Sequence, residues 1–122
     1  MVYCGSIRFI YPNVPAPKTV IVYQDNRGNE PFTDWLNSLH DPTTRRRILK
    51  RLLRLEQGNY GDYKSVGEGV NELRFFFGAG YRVYFGEDGD TIVVLLCGGS
   101  KDSQHRDIQR AQLYWQEYQT HD

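Results

Sequence analysis

The sequence predicts one α+β domain, made of an N-terminal strand, an α-helical hairpin, a three-stranded antiparallel meander that completes a single sheet, and a C-terminal helix. Runs of β-branched and aromatic residues bounded by turn residues predict the strands. Apolar residues at helical spacing predict the helical hairpin after the first strand and a closing helix after the last strand. With 122 residues, of which 39% are hydrophobic, the chain has the length and apolar content for one core rather than two.

The first 24 residues divide into an arm and a strand. Residues 1–18 contain three prolines and show no helical period, so we expect an irregular arm there and a single domain over residues 19–122. The run TVIVYQ at residues 19–24 is β-branched and aromatic, which predicts the first strand. A turn at residues 26–28 should end this strand because it contains asparagine and glycine.

Two helices are predicted next, and together they form the hairpin. The first has an apolar stripe at spacings of three and four residues, formed by Phe32, Trp35, Leu36 and Leu39. Asp41 followed by Pro42 predicts the N-cap and the first position of the second helix, which should run to about Gln57 and end at Gly58. The side of this helix that we expect to face inward consists of Ile48, Leu49, Leu52, Leu53 and Leu55.

Glycines and other turn residues divide the second half of the chain. Residues 60–69, which include Lys64, predict a loop, and two hairpin turns are predicted at residues 78–80 and at Asp88-Gly89, the latter of type I′. The continuous apolar run at residues 93–96 predicts that the last strand is covered on both faces and lies inside the sheet. The three strands and the closing helix are expected at residues 70–77, 81–86, 91–97 and 103–119.

Side-chain alternation in the first hairpin predicts a polar face. A three-residue turn would pair Phe77 with Tyr81 and would place alternate residues of the two strands on opposite faces. One face is apolar, and we expect it to belong to the core. The other face receives two arginines, a carboxylate and two aromatic rings, namely Glu72, Arg74, Phe76, Arg82 and Tyr84. In this register Phe76 lies opposite Arg82, and Arg74 lies opposite Tyr84.

This set of side chains suits the cleavage of RNA by its own ribose 2′-OH. Guanidinium forks bind the nonbridging oxygens of a phosphate, and aromatic planes stack on unpaired bases. A carboxylate, a tyrosine or a lysine can transfer the proton, and no metal ion is required. The same residue types also form salt-bridge ladders on sheet faces that are exposed to water, so both interpretations are open at this point.

Charge is segregated along a chain whose formal net charge is zero. Residues 43–54 carry six lysines or arginines and no acid, whereas residues 55–122 carry six basic residues against eleven acids. The outward side of the second helix is therefore basic, either as a solvated surface or as a surface for RNA phosphates. The candidate RNA-binding residues on it are Arg46, Arg47, Lys50, Arg51 and Arg54.

Composition excludes several classes of protein. The chain has no run of 18 apolar residues and no signal-peptide pattern, so we expect a cytoplasmic protein. Cys4 and Cys97 are too few for a disulfide framework, and no histidines and cysteines share a metal-ligand spacing. We therefore expect no metal and no cofactor.

Three segments in this order resemble the toxins of the RelE/ParE superfamily. They are KSVGEGVNELR at residues 64–74, GAGYRVY at residues 78–84 and LLCGGSK at residues 95–101. The closing RDIQRA at residues 106–111, with Tyr114 and Trp115 after it, also fits. The similarity is to the HigB-like, phage-derived "addiction module killer protein" branch, and it covers about residues 19–118.

The resemblance implies a RelE-like fold and a function. It implies the toxin of a type II toxin-antitoxin module, which cuts mRNA on the ribosome without a metal and is silenced by a helix-turn-helix antitoxin. Matched by motif, Arg82 corresponds to the arginine of the Gly-Tyr-Arg strand, Arg74 to a basic residue on the preceding strand, and Lys101 to the basic residue after the last strand. Glu72 stands where the best-known relative has a lysine, so the general base stays open among Glu72, Tyr84 and Lys64.

Two other functions fit the same sequence. One branch of the superfamily is ParE-like, and its members inhibit DNA gyrase by binding, without nuclease activity. An inert regulator that only binds an antitoxin is the third alternative, because a net charge of zero is low for a protein that binds ribosomes.

Overall fold

The computed structural model describes residues 16–120, and within them the predicted α+β class is confirmed. Of the predicted arm, residues 1–15 lie outside the described residues. The described chain forms one mixed five-stranded sheet in the order β1-β5-β4-β3-β2, with helices on both faces. The elements are β1 (Thr19–Val22), α1 (Pro31–Ser38), α2 (Pro42–Glu56), β2 (Tyr63–Ser65), β3 (Val70–Arg74), β4 (Arg82–Asp88), β5 (Ile92–Gly99), a 3-10 turn (Lys101–Ser103) and α3 (Gln104–Thr120).

Strand β5 lies inside the sheet, as its apolar sequence predicts. It pairs with β1 in parallel and with β4 in antiparallel, and its residues 93–96 are all buried. A β-bulge interrupts the β4–β5 ladder between Tyr84 and Phe85. Because of the extra residue, Leu96 and Cys97 both join the hydrophobic cluster under α3.

Helix α2 begins and ends where the sequence predicts. Oδ1 of Asp41 accepts a hydrogen bond from the backbone N–H of Thr43 at 3.0 Å, and Pro42 takes the first helical position. Gly58 follows the helix with a φ of +87°, which a glycine adopts at no steric cost. These local signals act within one turn of the helix, so they can be identified without knowledge of the tertiary structure.

The inward side of α2 is narrower than predicted. Ile48, Leu52 and Leu55 are buried against the sheet, whereas Leu49 and Leu53 are 45% and 59% exposed. The prediction for Leu49 and Leu53 is therefore wrong. A helix that covers a sheet from one side only buries a single stripe of positions, and these two leucines lie outside that stripe.

The two faces of the sheet carry separate hydrophobic clusters. Helices α1 and α2 cover one face, and α3 covers the other. On each face a tryptophan rests on a glycine: Trp35 of α1 lies on Gly98 of β5, and Trp115 of α3 lies on Gly86 of β4. A Cβ atom at either glycine would collide with the indole ring. Close contact between each tryptophan and the strand therefore requires glycine.

The predicted register of the β3–β4 hairpin is wrong by two residues. Arg74 pairs with Arg82 and Glu72 with Tyr84, and the backbone N–H of Phe75 donates to the carbonyl of Tyr81 at 3.0 Å. The loop therefore contains residues 76–80 instead of the three predicted. Because a strand has a period of two residues, this shift changes every pair but leaves the side chains within the two strands on their predicted faces. The prediction for Phe76 is wrong, because this residue lies in the loop and not on the polar face of β3.

Two other local predictions are wrong. The loop predicted at residues 60–69 contains the short strand β2, which pairs with β3 at the edge of the sheet. The second hairpin has a three-residue turn at residues 89–91 between Asp88 and Ile92, in which only Gly89 has a positive φ. A type I′ turn needs two such residues, so this prediction is excluded.

Candidate functional site

A cavity of about 670 Å³ lies at the end of the sheet where the β3–β4 loop meets the beginning of α3. Three cationic side chains line it, and each comes from a different element: Arg74 from β3, Arg82 from β4 and Lys101 from the 3-10 turn. The structure thus brings together the three residues that the resemblance matched best. The remaining lining residues are Phe75, Phe76, Phe77, Gly78, Ala79, Gly80 and Asp102.

Hydrogen bonds fix the loop that forms one wall of the cavity. The N–H of Gly80 donates to the carbonyl of Phe77 at 3.1 Å, and the N–H of Lys101 donates to the carbonyl of Ala79 at 3.2 Å. Nη1 of Arg82 donates to the carbonyl of Gly80 at 2.6 Å. The loop is therefore tied both to the 3-10 turn and to one of the cations.

Phe76 is an exposed aromatic ring beside these cations. Its exposed fraction is 78%, and the guanidinium carbon of Arg74 lies 5.6 Å from the centre of its ring. An isolated exposed phenylalanine gains nothing from the hydrophobic effect, whereas an open ring next to a cation can stack on a nucleobase. The cavity thus has charged groups for a phosphate and an open ring at its rim.

Glu72 lies beneath the cavity and is fully buried. Its Oε2 accepts hydrogen bonds from Nε2 of Gln104 at 2.8 Å and from the hydroxyl of Tyr84 at 3.1 Å. Nε of Arg82 is 3.5 Å from the same oxygen, and Nε of Arg74 is 3.9 Å from Oε1. One carboxylate therefore contacts both arginines of the cavity.

Tyr84 is also fully buried, and its hydroxyl donates to Glu72. Burial raises the pKa of Tyr84, and the adjacent carboxylate of Glu72 raises it further. The phenol is therefore protonated over the physiological pH range. In this state it serves as a hydrogen-bond donor to Glu72 and does not accept a proton.

Lys64 does not line the cavity. It lies in β2 directly opposite Glu72 of β3, and it is exposed at the edge of the sheet. Directly opposite residues of an antiparallel pair share a face, so Lys64 lies on the α3 side, next to the buried carboxylate. The side chain is thus a neighbour of the cluster.

The cations of α2 divide into free and engaged groups. Arg51 donates to the carbonyls of Arg74, Tyr60 and Asp62 at 2.8 to 3.1 Å, and burial lowers its pKa. Arg51 thus holds the loop after α2 against the end of β3. The guanidinium of Arg47 lies 3.8 Å from the ring centre of Phe77, a cavity residue, so the basic surface adjoins the cavity.

The other candidate RNA-binding residues point to solvent. Arg46, Lys50 and Arg54 are exposed, and Nη2 of Arg46 donates to the hydroxyl of Thr43 at 3.3 Å. Within residues 16–120, neither Lys50 nor Arg54 forms an ion pair with an acidic side chain. Their charges are therefore available to a ligand.

Sequence reasoning missed two residues of this region. Gln104 donates a hydrogen bond to Glu72, which lies 32 positions earlier in the chain. Asp102 is the acidic residue among those that line the cavity. Asp102 lies in the 3-10 turn after β5 and Gln104 is the first residue of α3, and in this region the sequence signal was Lys101 alone. A glutamine at a helix start has no distinctive pattern, so only the docking of α3 on the sheet reveals its partner.

Neither a metal cluster nor a membrane-spanning helix is found in the described part of the chain. No group of three or more histidine, cysteine, aspartate or glutamate residues within it is arranged to hold a metal ion. None of the helices found in residues 16–120 has the length and the apolar character needed to cross a membrane.

Comparison with known proteins identifies a relative in Haemophilus influenzae. No protein-family model matches the chain. The chain is 45% identical, over 86 residues, to a protein of this bacterium that is described only as an uncharacterized protein. The match covers 70% of this chain and 87% of the relative.

Proposed function

The chain belongs to the same family as this Haemophilus influenzae protein, and we propose that it is the toxin of a type II toxin-antitoxin module. In this proposal it is a ribosome-dependent, metal-independent mRNA endonuclease that blocks translation. The observation that carries the proposal is the cavity in which Arg74, Arg82 and Lys101, from three different elements, surround a volume of about 670 Å³ beside the exposed ring of Phe76.

Three converging cations suit the transition state of RNA cleavage. The ribose 2′-oxygen forms a bond to phosphorus while the bond from phosphorus to the 5′-oxygen breaks, so negative charge increases on the nonbridging oxygens. Arg74 and Arg82 supply guanidinium donors for these oxygens, and Lys101 supplies an ammonium. Fixed cations of this kind provide the charge stabilisation that a metal ion provides in other nucleases.

Proton transfer is assigned to the residues that reach the cavity. The 2′-OH loses a proton to a base, and the leaving 5′-oxygen gains one. Arginine does not give up its proton in proteins, so Lys101 and Asp102 are the candidates among the lining residues. Two protons move, so each residue can act at one step. Asp102→Asn should slow cleavage if this carboxylate accepts the proton of the 2′-OH, and Lys101→Arg, which keeps the positive charge, should slow it only if the ammonium donates a proton to the 5′-oxygen.

The order of elements supports the RelE-like part of the proposal. A strand, two helices, four antiparallel strands and a C-terminal helix follow each other in the described chain, so the described order contains the elements that the resemblance implies and adds the short edge strand β2. The basic surface of α2 adjoins the cavity through Arg47 and Phe77, which gives the backbone of a ribosome-bound RNA a second set of contacts. In this proposal a helix-turn-helix antitoxin, encoded by a neighbouring reading frame, silences the toxin.

Cell-free translation with a defined mRNA tests the proposal. We expect the mRNA to be cut when ribosomes are present and to stay intact when they are left out. A parallel reaction with purified DNA gyrase and a plasmid measures supercoiling. Changed supercoiling with intact mRNA would instead identify a gyrase inhibitor. No effect in either reaction would favour an inert regulator that only binds an antitoxin.

A further inference from the structure

We propose that Glu72 is a positioning residue whose buried carboxylate sets the spacing of the three cations around the cavity. This inference rests on the proposed function of the cavity as a phosphate-binding site. It distinguishes Glu72 from the general base, the role that the sequence alone leaves open.

The carboxylate of Glu72 is not accessible from the cavity. Glu72 is fully buried, and it is absent from the lining of the cavity. Its Oε2 already accepts hydrogen bonds from Gln104 and Tyr84, at 2.8 and 3.1 Å. A general base must come within hydrogen-bond distance of the proton that it removes, or reach it through one water molecule. Glu72 does not meet this condition, because its carboxylate is enclosed by the two arginines, the tyrosine and the glutamine.

Glu72 also connects the elements that carry the cations. It contacts Arg74 of β3 and Arg82 of β4 through their Nε atoms, at 3.9 and 3.5 Å. Gln104, which donates a hydrogen bond to Glu72, is the first residue of α3 and follows Lys101 by three positions. Every element that contributes a cation to the cavity is therefore attached to this one carboxylate, directly or through the start of α3.

The carboxylate further sets the orientation and the charge balance of the arginines. The Nε atom of each arginine faces Glu72, so the Nη groups at the far end of the guanidinium can donate to other acceptors. Nη1 of Arg82, for example, donates to the carbonyl of Gly80. Glu72 Oε1 and both Nε atoms are buried and have no hydrogen-bond partner among the described residues. The ionised carboxylate offsets the charge of two partly buried guanidiniums, and a neutral side chain in its place would let them move apart or turn to solvent.

The test compares Glu72→Gln and Glu72→Asp with Glu68→Gln, a control at an exposed glutamate four positions earlier. Inorganic phosphate is the probe, and its binding is followed through the arginine Nε–H resonances by NMR. We expect Glu72→Gln to weaken phosphate binding by about tenfold or more and to shift the Nε–H signals of Arg74 and Arg82. Glu72→Asp keeps the charge and should recover part of the affinity, whereas the control should match the wild type.

Cleavage of mRNA on ribosomes gives an independent readout. A positioning role predicts that Glu72→Gln raises KM as well as lowering kcat, with an unchanged shape of the pH–rate profile. Unchanged phosphate affinity, together with a loss of kcat and of the acidic limb of that profile, would overturn the inference and identify Glu72 as the base.

Two further results distinguish a failure of the inference from misfolding of the variant and from a failure of the proposed function. If Glu72→Gln does not fold, Gln104→Ala leaves the carboxylate in place and removes one of its hydrogen bonds. It should weaken phosphate binding by about threefold, and wild-type affinity in this variant would overturn the proposal. If phosphate binding depends on Glu72 but mRNA is not cut, the positioning role stands and the nuclease proposal fails.

Discussion

The two faces of the sheet are built differently, although each is covered by helix. Under α1 and α2 the buried side chains are uncharged, with Ile48, Leu55 and Phe85 among the most deeply buried. The polar one is Thr44 of α2, whose hydroxyl donates to Oδ2 of Asp41 at 3.1 Å. Under α3 the cluster is apolar around Trp115, but it gives way to Glu72, Arg82 and Tyr84 near the beginning of the helix. Stability alone explains the first face and does not explain the polar end of the second.

The polar end is costly for the fold. Moving a carboxylate and a guanidinium out of water is unfavourable, and replacing a buried ion pair by apolar residues is often neutral or stabilising. Three buried polar atoms of this cluster have no hydrogen-bond partner in the described chain. Conflicts of this kind between local chemistry and stability are typical of functional sites. The comparison therefore indicates that the α1 and α2 face serves the fold and the polar end of the α3 face serves the function.

Removing a cation from the polar end should have the largest effect. We expect Arg82→Ala to slow mRNA cleavage by about 100- to 1,000-fold, equivalent to about 2.7 to 4 kcal/mol, because the transition state loses a charged donor. Single-turnover cleavage on mRNA-loaded ribosomes measures the rate, and circular dichroism checks the fold. Arg27→Ala, in the exposed loop after β1, is the matched control. Wild-type cleavage and growth arrest by Arg82→Ala at equal expression would exclude the cavity as the active site.

The two glycines under the tryptophans test the comparison directly. Gly98→Ala and Gly86→Ala should each lower the free energy of unfolding by about 1 to 3 kcal/mol, because a methyl group overpacks the contact with Trp35 or Trp115. Urea denaturation measures both values. At equal amounts of folded protein, Gly98→Ala should keep its cleavage rate, whereas Gly86→Ala should lose activity because it displaces α3. Equal activity of the two variants would remove the proposed difference between the faces.

The sequence predicts which face each side chain occupies better than which residues pair. Glu72, Arg74, Arg82 and Tyr84 share a face as expected, since alternation depends only on local backbone geometry. Their pairs were predicted wrongly, because the number of residues in the loop depends on its contacts with Arg82 and the 3-10 turn. Register is therefore a tertiary property in this hairpin.

Long-range contacts explain what the sequence could not predict. Strand β2 exists because β3 offers it a free edge, and its three exposed residues carry no pattern of their own. Arg51 was predicted to belong to the basic surface, yet it is engaged by backbone carbonyls that lie up to 23 positions away. Helix α2 itself was predicted well, because its cap and its glycine stop are local signals.

Tyr84→Phe tests whether Tyr84 only donates a hydrogen bond to Glu72 or also transfers a proton during cleavage. Burial and Glu72 raise the pKa of Tyr84, so the phenol stays protonated and its loss removes one hydrogen bond to the carboxylate. We expect cleavage to fall by no more than about tenfold, since a hydrogen bond of this kind contributes roughly 0.5 to 1.5 kcal/mol. The pH–rate profile between about pH 6 and pH 9 should keep its shape. A loss of more than about 100-fold would assign proton transfer to Tyr84 instead.

The basic surface of α2 should give the smallest effect, because it binds and does not react. We expect the double variant Lys50→Gln and Arg54→Gln to bind ribosomes with a weaker salt dependence. The slope of the logarithm of the binding constant against the logarithm of salt concentration should fall by roughly 0.7 to 0.9 for each RNA phosphate that the variant no longer binds. Single-turnover kcat should stay at the wild-type value. Sedimentation with ribosomes across a salt series measures the slope, with Arg27→Gln as the control. An unchanged slope would show that this surface is solvated and binds no RNA.

Crosslinking tests most directly whether RNA enters the cavity. The probe is an mRNA whose decoding-site codon carries 4-thiouridine and a 2′-deoxy sugar, so that it can bind on the ribosome but cannot be cut. After irradiation, mass spectrometry identifies the crosslinked peptides of the protein. We expect crosslinks at Phe76 and in the β3–β4 loop, and we expect Arg82→Ala to abolish them. Crosslinks confined to α2, or none above the level without ribosomes, would contradict an active site in the cavity.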